Sequence, residues 1–305
     1  MVFYFSGTGN SLQAAQAMLS PGEKLIDMAD SLWKKEFSFH IAPGEPVGFV
    51  FPVYFGGLPV AVENFIDQLD MPFKPYYCYG LLTCGGSPAA AGEALRVRLK
   101  KKGLTMHALY TVTMPDNYVL MFKIPEPEEQ SRILSKAALW LEHIKKQVDQ
   151  RIHTVERASL KDRMLSAAMH PIYENDRSTK PFFSDDQCVG CGLCVKRCPA
   201  HAMVMEDGRP KWVADHCFQC MACARCGAVQ YGKKTAGKKR YTNPILKKAG
   251  GHDHSAAPAG GHDHGGSGST SGSHDHGGSA CHTGEHDHSG GEECCCPDPT
   301  MAGEA

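Results

Sequence analysis

The spacing of eight cysteines between residues 188 and 226 constrains this chain more than any other feature. Cys188, Cys191, Cys194 and Cys198 form C-x2-C-x2-C-x3-C, with Pro199 directly after the last. Cys217, Cys220, Cys223 and Cys226 follow with two residues in every gap. Two-residue gaps let a tight loop wrap thiolates around one centre, and proline fixes the backbone where the chain leaves. C-x2-C pairs also suit structural zinc, but eight cysteines in this order with Cys-Pro favour iron–sulfur ligation. Between the motifs, 202–205 and 211–213 read as two strands of a hairpin turning at Asp207-Gly208.

These residues resemble the two-cluster bacterial ferredoxins over about 50 positions. The resemblance implies two [4Fe-4S] clusters, one on Cys188, Cys191, Cys194 and Cys226, the other on Cys217, Cys220, Cys223 and Cys198. The second motif departs from the family, ending C-x2-C-Gly where the pattern is C-x3-C-Pro, with Gly227 in the proline's place. Should Cys226 fall short of its cluster, three outcomes are open: a three-iron form, another ligand, or a labile site.

The length of 305 residues suggests two domains plus a tail. A formal net charge of −1 offers no bulk field to recruit nucleic acid or a membrane surface. The N-terminus opens on an apolar strand-like run at 2–5, without a basic segment or signal-peptide core, and no stretch reaches the length of a membrane span. Cytoplasmic residence is therefore expected, and there fourteen cysteines are ligands sooner than disulfides.

Upstream, short apolar runs at 2–5, 24–28, 46–51, 79–83 and 107–113 read as strands, with helices between them at 12–19, 60–69 and 89–102. Such alternation predicts a parallel sheet covered on both faces, and five strands suit the order 2-1-3-4-5. Pro125 and Pro127 then open a helix whose stripe runs Leu134, Ala137, Leu141, Ile144, Val148, Ile152 and Val155, with Glu142 placed to pair with Lys146. That helix is expected to cap the sheet and bridge to the cysteine unit.

Three loops at strand carboxyl ends carry ligand-binding character. Ser6, Gly7, Thr8, Gly9, Asn10 and Ser11 bring converging backbone N–H groups and hydroxyls to a helix start, which favours an anion. No lysine follows, so this is neither a nucleotide P-loop nor a dinucleotide fingerprint. Pro52, Tyr54, Phe55 and Gly56 follow the third strand, where an aromatic can stack on a flat ring. Thr83, Gly85 and Gly86 follow the fourth, where glycines allow close backbone approach, and Cys84 reads as a packed residue. The 114–118 loop is expected to close the rim or to touch the cysteine unit.

This half resembles the flavodoxins, whose first loop holds the phosphate of flavin mononucleotide. The whole order, including the run from Gly48 to Gly57, resembles a family of flavodoxin–ferredoxin fusion proteins over residues 1 to about 232. The resemblance implies a flavodoxin-like domain at 1–125, a helical linker at 126–177 and a ferredoxin domain at 178–232, carrying flavin and two [4Fe-4S] clusters.

Residues 233–248 hold seven Lys or Arg and no acid, which reads as a solvated linker or as a docking strip for an acidic redox partner. Residues 249–305 are low-complexity and expected to be disordered. His-Asp-His recurs there with His252, His254, His262, His264, His274, His276, His286 and His288, joined by Cys281, His282 and Cys294–Cys296. Repeated ligand triplets predict transition-metal binding, of zinc, nickel, cobalt or copper.

The expected function is intracellular electron transfer between a flavin site, iron–sulfur clusters and redox partner proteins. Ser-His-Asp, paired-carboxylate and nicotinamide patterns are absent from the sequence, which favours a carrier over a dedicated enzyme. The alternatives are a flavin-dependent reductase and a metal-handling protein that uses its tail for storage, delivery or metal reduction.

Overall fold

The computed structural model describes residues 1–155 and 157–248. The histidine triplets, Cys281, His282, Cys294–Cys296 and the metal binding expected of them lie outside the described residues.

Five strands, β1 (Val2–Tyr4), β2 (Leu25–Asp27), β3 (Val47–Pro52), β4 (Cys78–Cys84) and β5 (Ala108–Thr113), pair in parallel in the order β2-β1-β3-β4-β5. This is the flavodoxin-like order expected from the alternation. β3 and β4 are buried along almost their whole length, as central strands covered on both faces must be. One face is covered by α1 (Asn10–Met18) and α5 (Pro127–Asp149), with Ala14, Ala15, Ala137, Leu141, Ile144 and Val148 packed on Val2, Val50 and Leu81. The other face carries α2 (Met28–Lys34), α3 (Val60–Gln68) and α4 (Ala91–Lys101), around Phe3, Phe49, Phe65, Ile66, Leu95 and Leu99.

Three details differ from the sequence expectation. The second strand stops at Asp27, because its carboxylate accepts the Ala29 N–H at 2.8 Å and caps α2. The stripe on α5 buries only to Val148; the helix ends at Asp149 and Ile152 is exposed. The ion pairs within α5 are Arg132–Glu129 and Lys145–Asp149, not the expected Glu142–Lys146.

The chain next adds one bridge to the edge of the sheet, Thr154 beside Ala108. It then forms α6 (Leu160–Asn175), started by Ser159, whose hydroxyl accepts the Asp162 N–H at 3.1 Å. The cysteine unit holds two small antiparallel sheets, β6 (Phe182–Ser184) with β9 (Val229–Tyr231), and β7 (Met203–Glu206) with β8 (Arg209–Trp212). Asp207 and Gly208 turn the second hairpin at φ 49° and 73°, the left-handed pair that a tight two-residue turn demands.

The described residues belong to one compact unit. Cys220 and Ala222 are buried in the same core cluster as Phe3, Phe5 and Phe49, with Phe218 packed against it. The 233–248 segment is not a free linker: Tyr241 is 4% exposed and Asn243 is 1% exposed.

Candidate functional site

A cavity of about 240 Å³ opens at the carboxyl ends of β1, β3, β4 and β5. It brings together Ser6, Gly7, Thr8, Asn10, Ser11, Pro52, Tyr54, Phe55, Gly56, Thr83, Gly85 and Gly86 from the three loops singled out by sequence. Gly9 is not in the lining. It starts α1 at φ 100° and faces outward onto the 241–246 segment, where a Cβ would come within 2.8 Å of the Asn243 Cβ.

Not every polar side chain in the first loop is free. Ser6 Oγ accepts the Gly9 N–H at 3.1 Å, which closes the turn, and Thr8 Oγ1 accepts from Asn117. The Ser11 and Thr83 hydroxyls bond to each other at 2.7 Å and tie β4 to the start of α1. Asn10 donates to the Pro115 carbonyl at 2.9 Å, and its Oδ1 accepts from Tyr241 and Asn243 at 2.7 and 3.1 Å. That amide ties the loop to the 115 and 241–243 segments. No side chain caps α1, so the backbone N–H groups of its first turn remain beside the cavity.

Tyr54 and Gly57 exchange backbone hydrogen bonds at 3.0 and 2.9 Å around Phe55 and Gly56, which sit at φ 50° and 73°. A bulky residue in the left-handed region costs of order 1–2 kcal/mol. Phe55 is held there between two rings, edge-on to Tyr118 at 5.4 Å and nearly parallel to Tyr173 at 6.1 Å. Burial drives the Tyr54 phenol well above its ordinary pKa, so it stays neutral. Burial likewise pushes the Cys84 thiol up to about 11, and Cys84 donates to the Gly86 carbonyl at 2.9 Å. A neutral, hydrogen-bonded thiol fits the packed role read from sequence.

The 114–118 loop does both things expected of it. Met114, Pro115, Asp116 and Asn117 line the rim, and the Tyr118 hydroxyl donates to Gln219 Oε1 at 2.9 Å. The sequence reading missed the roof. Met169 and Tyr173 of α6 line the cavity, and Ser166 anchors that helix, donating to the Gly56 carbonyl at 2.6 Å and accepting the Ala90 N–H at 2.9 Å. It also missed Gln219, which lies inside a C-x2-C gap where nothing in the spacing marks the intervening residues.

The cysteines fall into two sets. Cys198, Cys217, Cys220 and Cys223 line one small apolar cavity of about 20 Å³, with Phe182, Met203 and Trp212. Burial raises the thiols of Cys217, Cys220 and Cys223, Cys217 to about 11 and Cys223 well above its ordinary value, the latter raised further by Cys220, Cys198 and Cys217. Thiols gathered in an apolar pocket gain by binding a cationic centre that takes them as thiolates. The other set lies nearer the surface, with Cys191 and Cys226 exposed and Cys188 and Cys194 half-buried. The Cys194 thiol is raised by burial first and then by Cys226 and Cys188. A 3-10 turn at Cys223–Cys226, closed by Gly227 at φ 85°, carries Cys226, which lies near enough to Cys194 to act on its thiol. Among the described residues no three His, Cys, Asp or Glu side chains converge on a site for a single ion. No helix among them is long and apolar enough to cross a membrane.

Residues 180–227 match a family described as the 4Fe-4S dicluster domain. The class defined at this point is a doubly wound α/β protein with an iron–sulfur dicluster domain fused behind its ligand cavity. No curated protein matches the chain. Solved structures with some likeness include a putative flavoprotein from Bacteroides uniformis, 15% identical, covering 37% of this chain and 88% of its own, TM-score 0.29. The Trp repressor binding protein from Bacillus subtilis is 12% identical, covering 47% of this chain and 96% of its own, TM-score 0.32. An FMN-dependent NADH-azoreductase from Bacillus anthracis, in complex with FMN, is 8% identical, covering 48% of this chain and 98% of its own, TM-score 0.28. Likeness at these levels carries no argument about activity.

Proposed function

We propose that this chain is an electron-transfer protein that couples flavin mononucleotide, bound in the cavity above the sheet, to two [4Fe-4S] clusters on the eight cysteines. The observation that carries the reading is the contact between the two sites. The ligand cavity, at the end of the sheet where open α/β folds bind ligands, is walled by a residue of the dicluster domain, Gln219.

The residues fit both groups. The uncapped first turn of α1 and the Ser6 and Thr8 hydroxyls offer donors suited to a phosphate. Tyr54 and Phe55 offer aromatic faces to a flat ring, and Gly86, with open space around its Cα, admits a ring edge to the backbone. The four cysteines of the inner set share one apolar pocket, and the nearness of Cys226 and Cys188 to Cys194 supports a complete second set. Bound flavin would supply one- and two-electron exchange, and bound clusters one-electron exchange. Phe5, Tyr173 and Phe218 exclude water between the two sites, and α6 roofs the cavity.

Anaerobic purification with counts of iron, sulfide and released flavin tests this reading. About eight irons and one flavin per chain are expected. About four irons would remove Cys226 from the ligand set, and zinc without flavin would overturn the proposal.

A further inference from the structure

We infer that the centres stand in series: Cys198, Cys217, Cys220 and Cys223 hold an inner cluster against the flavin cavity, and the set containing Cys191 and Cys226 holds an outer cluster that exchanges electrons with an external one-electron protein. This rests on the flavin and iron–sulfur reading above and adds an order to it.

Gln219 is the one residue that lines both the large cavity and the small cysteine cavity. It is 4% exposed and holds φ at 49°, and both its chain neighbours, Phe218 and Cys220, line the cysteine pocket. Its amide donates to the Asp176 carbonyl and accepts from Tyr118, which pins the partition from both sides. The contact is close elsewhere too. A Cβ on Gly7, in the first cavity loop, would fall 2.8 Å from the Cys220 Cβ, so only glycine lets that loop lie on the cysteine motif. Phe5 and Phe218 meet edge to face at 5.8 Å, and the Tyr173 hydroxyl donates to the Phe218 carbonyl at 3.2 Å.

The other set behaves in the opposite way. Cys191 and Cys226 are exposed and no cysteine of that set is buried, whereas Cys198 and Cys220 of the inner set are buried. The inner set therefore lies deeper, with Gln219 and the Gly7–Cys220 approach joining it to the cavity, and the outer set lies nearer solvent. Each passage moves one electron between neighbouring centres and makes or breaks no bond at sulfur. Two passages, with one proton taken from solvent, complete a two-electron change at the flavin. The external reactant is a protein that donates or accepts single electrons at the outer face.

The test uses the full chain with its flavin and iron reconstituted without oxygen. Cys191→Ala, at an exposed position, is expected to retain about four irons and the flavin. Photoreduction of the flavin should still generate the paramagnetic signal of the remaining reduced cluster, while reduction of added cytochrome c slows by about tenfold or more. A second measurement needs no variant: graded chelation of the native protein should remove the exposed cluster first, and at half the iron content the flavin should still reduce what remains. Loss of that flavin-driven signal in either preparation, with flavin and half the iron retained, would overturn the order. A native chain that binds no flavin, or zinc in place of iron, would sink the underlying reading and this inference with it.

Discussion

Gly7 shows how one residue joins the two halves of the chain. Its sequence context marks it as a flexible turn glycine, but its φ is not left-handed; what the structure requires is the absence of a side chain beside Cys220. Gly7→Ala is expected to force the loop and the cysteine motif apart, at a cost of about 1–3 kcal/mol. Urea unfolding of the loaded protein measures this, and an unchanged midpoint would mean the two elements yield without cost. Asn10 teaches the complementary lesson. A polar residue in a ligand loop reads as a ligand contact, yet here its amide is occupied by Pro115, Tyr241 and Asn243. Gln219 was invisible for the opposite reason: residues inside C-x2-C gaps vary freely as far as spacing is concerned, and its place between two cavities depends on Tyr118 and Asp176, 101 and 43 positions away.

At the scale of elements, the basic 233–248 segment departs most from its composition. Lysines at its surface do face solvent, but Tyr241 and Asn243 turn inward as a strap on the first loop, where the Asn243 amide also donates to Gln13 Oε1 at 2.7 Å. Charge counting sees the lysines and not Thr235, Tyr241 and Asn243, buried between them. Asn243→Ala leaves the Asn10 and Gln13 oxygens short of a donor, with an expected loss of about 1–3 kcal/mol. Flavin affinity should fall by about tenfold in a fluorescence titration while the iron content stays at the native value. Removal of residues 249–305 alone should leave both unchanged; equal flavin loss in that truncation would show that the strap is not the responsible element. α6 was equally hidden. Its sequence is helical, but a roof is defined by what lies beneath it, and the bonds of Ser166 to Gly56 and Ala90, His170 to Leu58, and Tyr173 to Val60 and Phe218 set the helix over the cavity.

For the whole molecule, the shared core bears on cooperativity. Cys220 and Ala222 pack with Phe3, Phe5 and Phe49, and Trp33 of α2, though 62% exposed, stacks on His201 at 3.9 Å. Two domains on a flexible linker would unfold separately; halves that share buried side chains should unfold together. Thermal unfolding of the loaded protein, followed by far-ultraviolet dichroism and by visible cluster absorbance, is expected to give coincident transitions. A cluster transition well below the helical one would show that the dicluster domain opens by itself.

The parallel order of the sheet, the three loops at its carboxyl end, the hairpin at Asp207-Gly208 and the two cysteine motifs were all legible in the sequence. Each rests on short-range physics: hydrophobic period, turn chemistry, and thiol spacing within one loop. The tertiary structure decided the rest. It brought Cys226 toward Cys194, buried Cys220 beneath Gly7, set Gln219 between two cavities and folded the basic strap onto Asn10. Those arrangements join residues tens to hundreds of positions apart, and their distances follow from how whole elements pack, which no local pattern encodes.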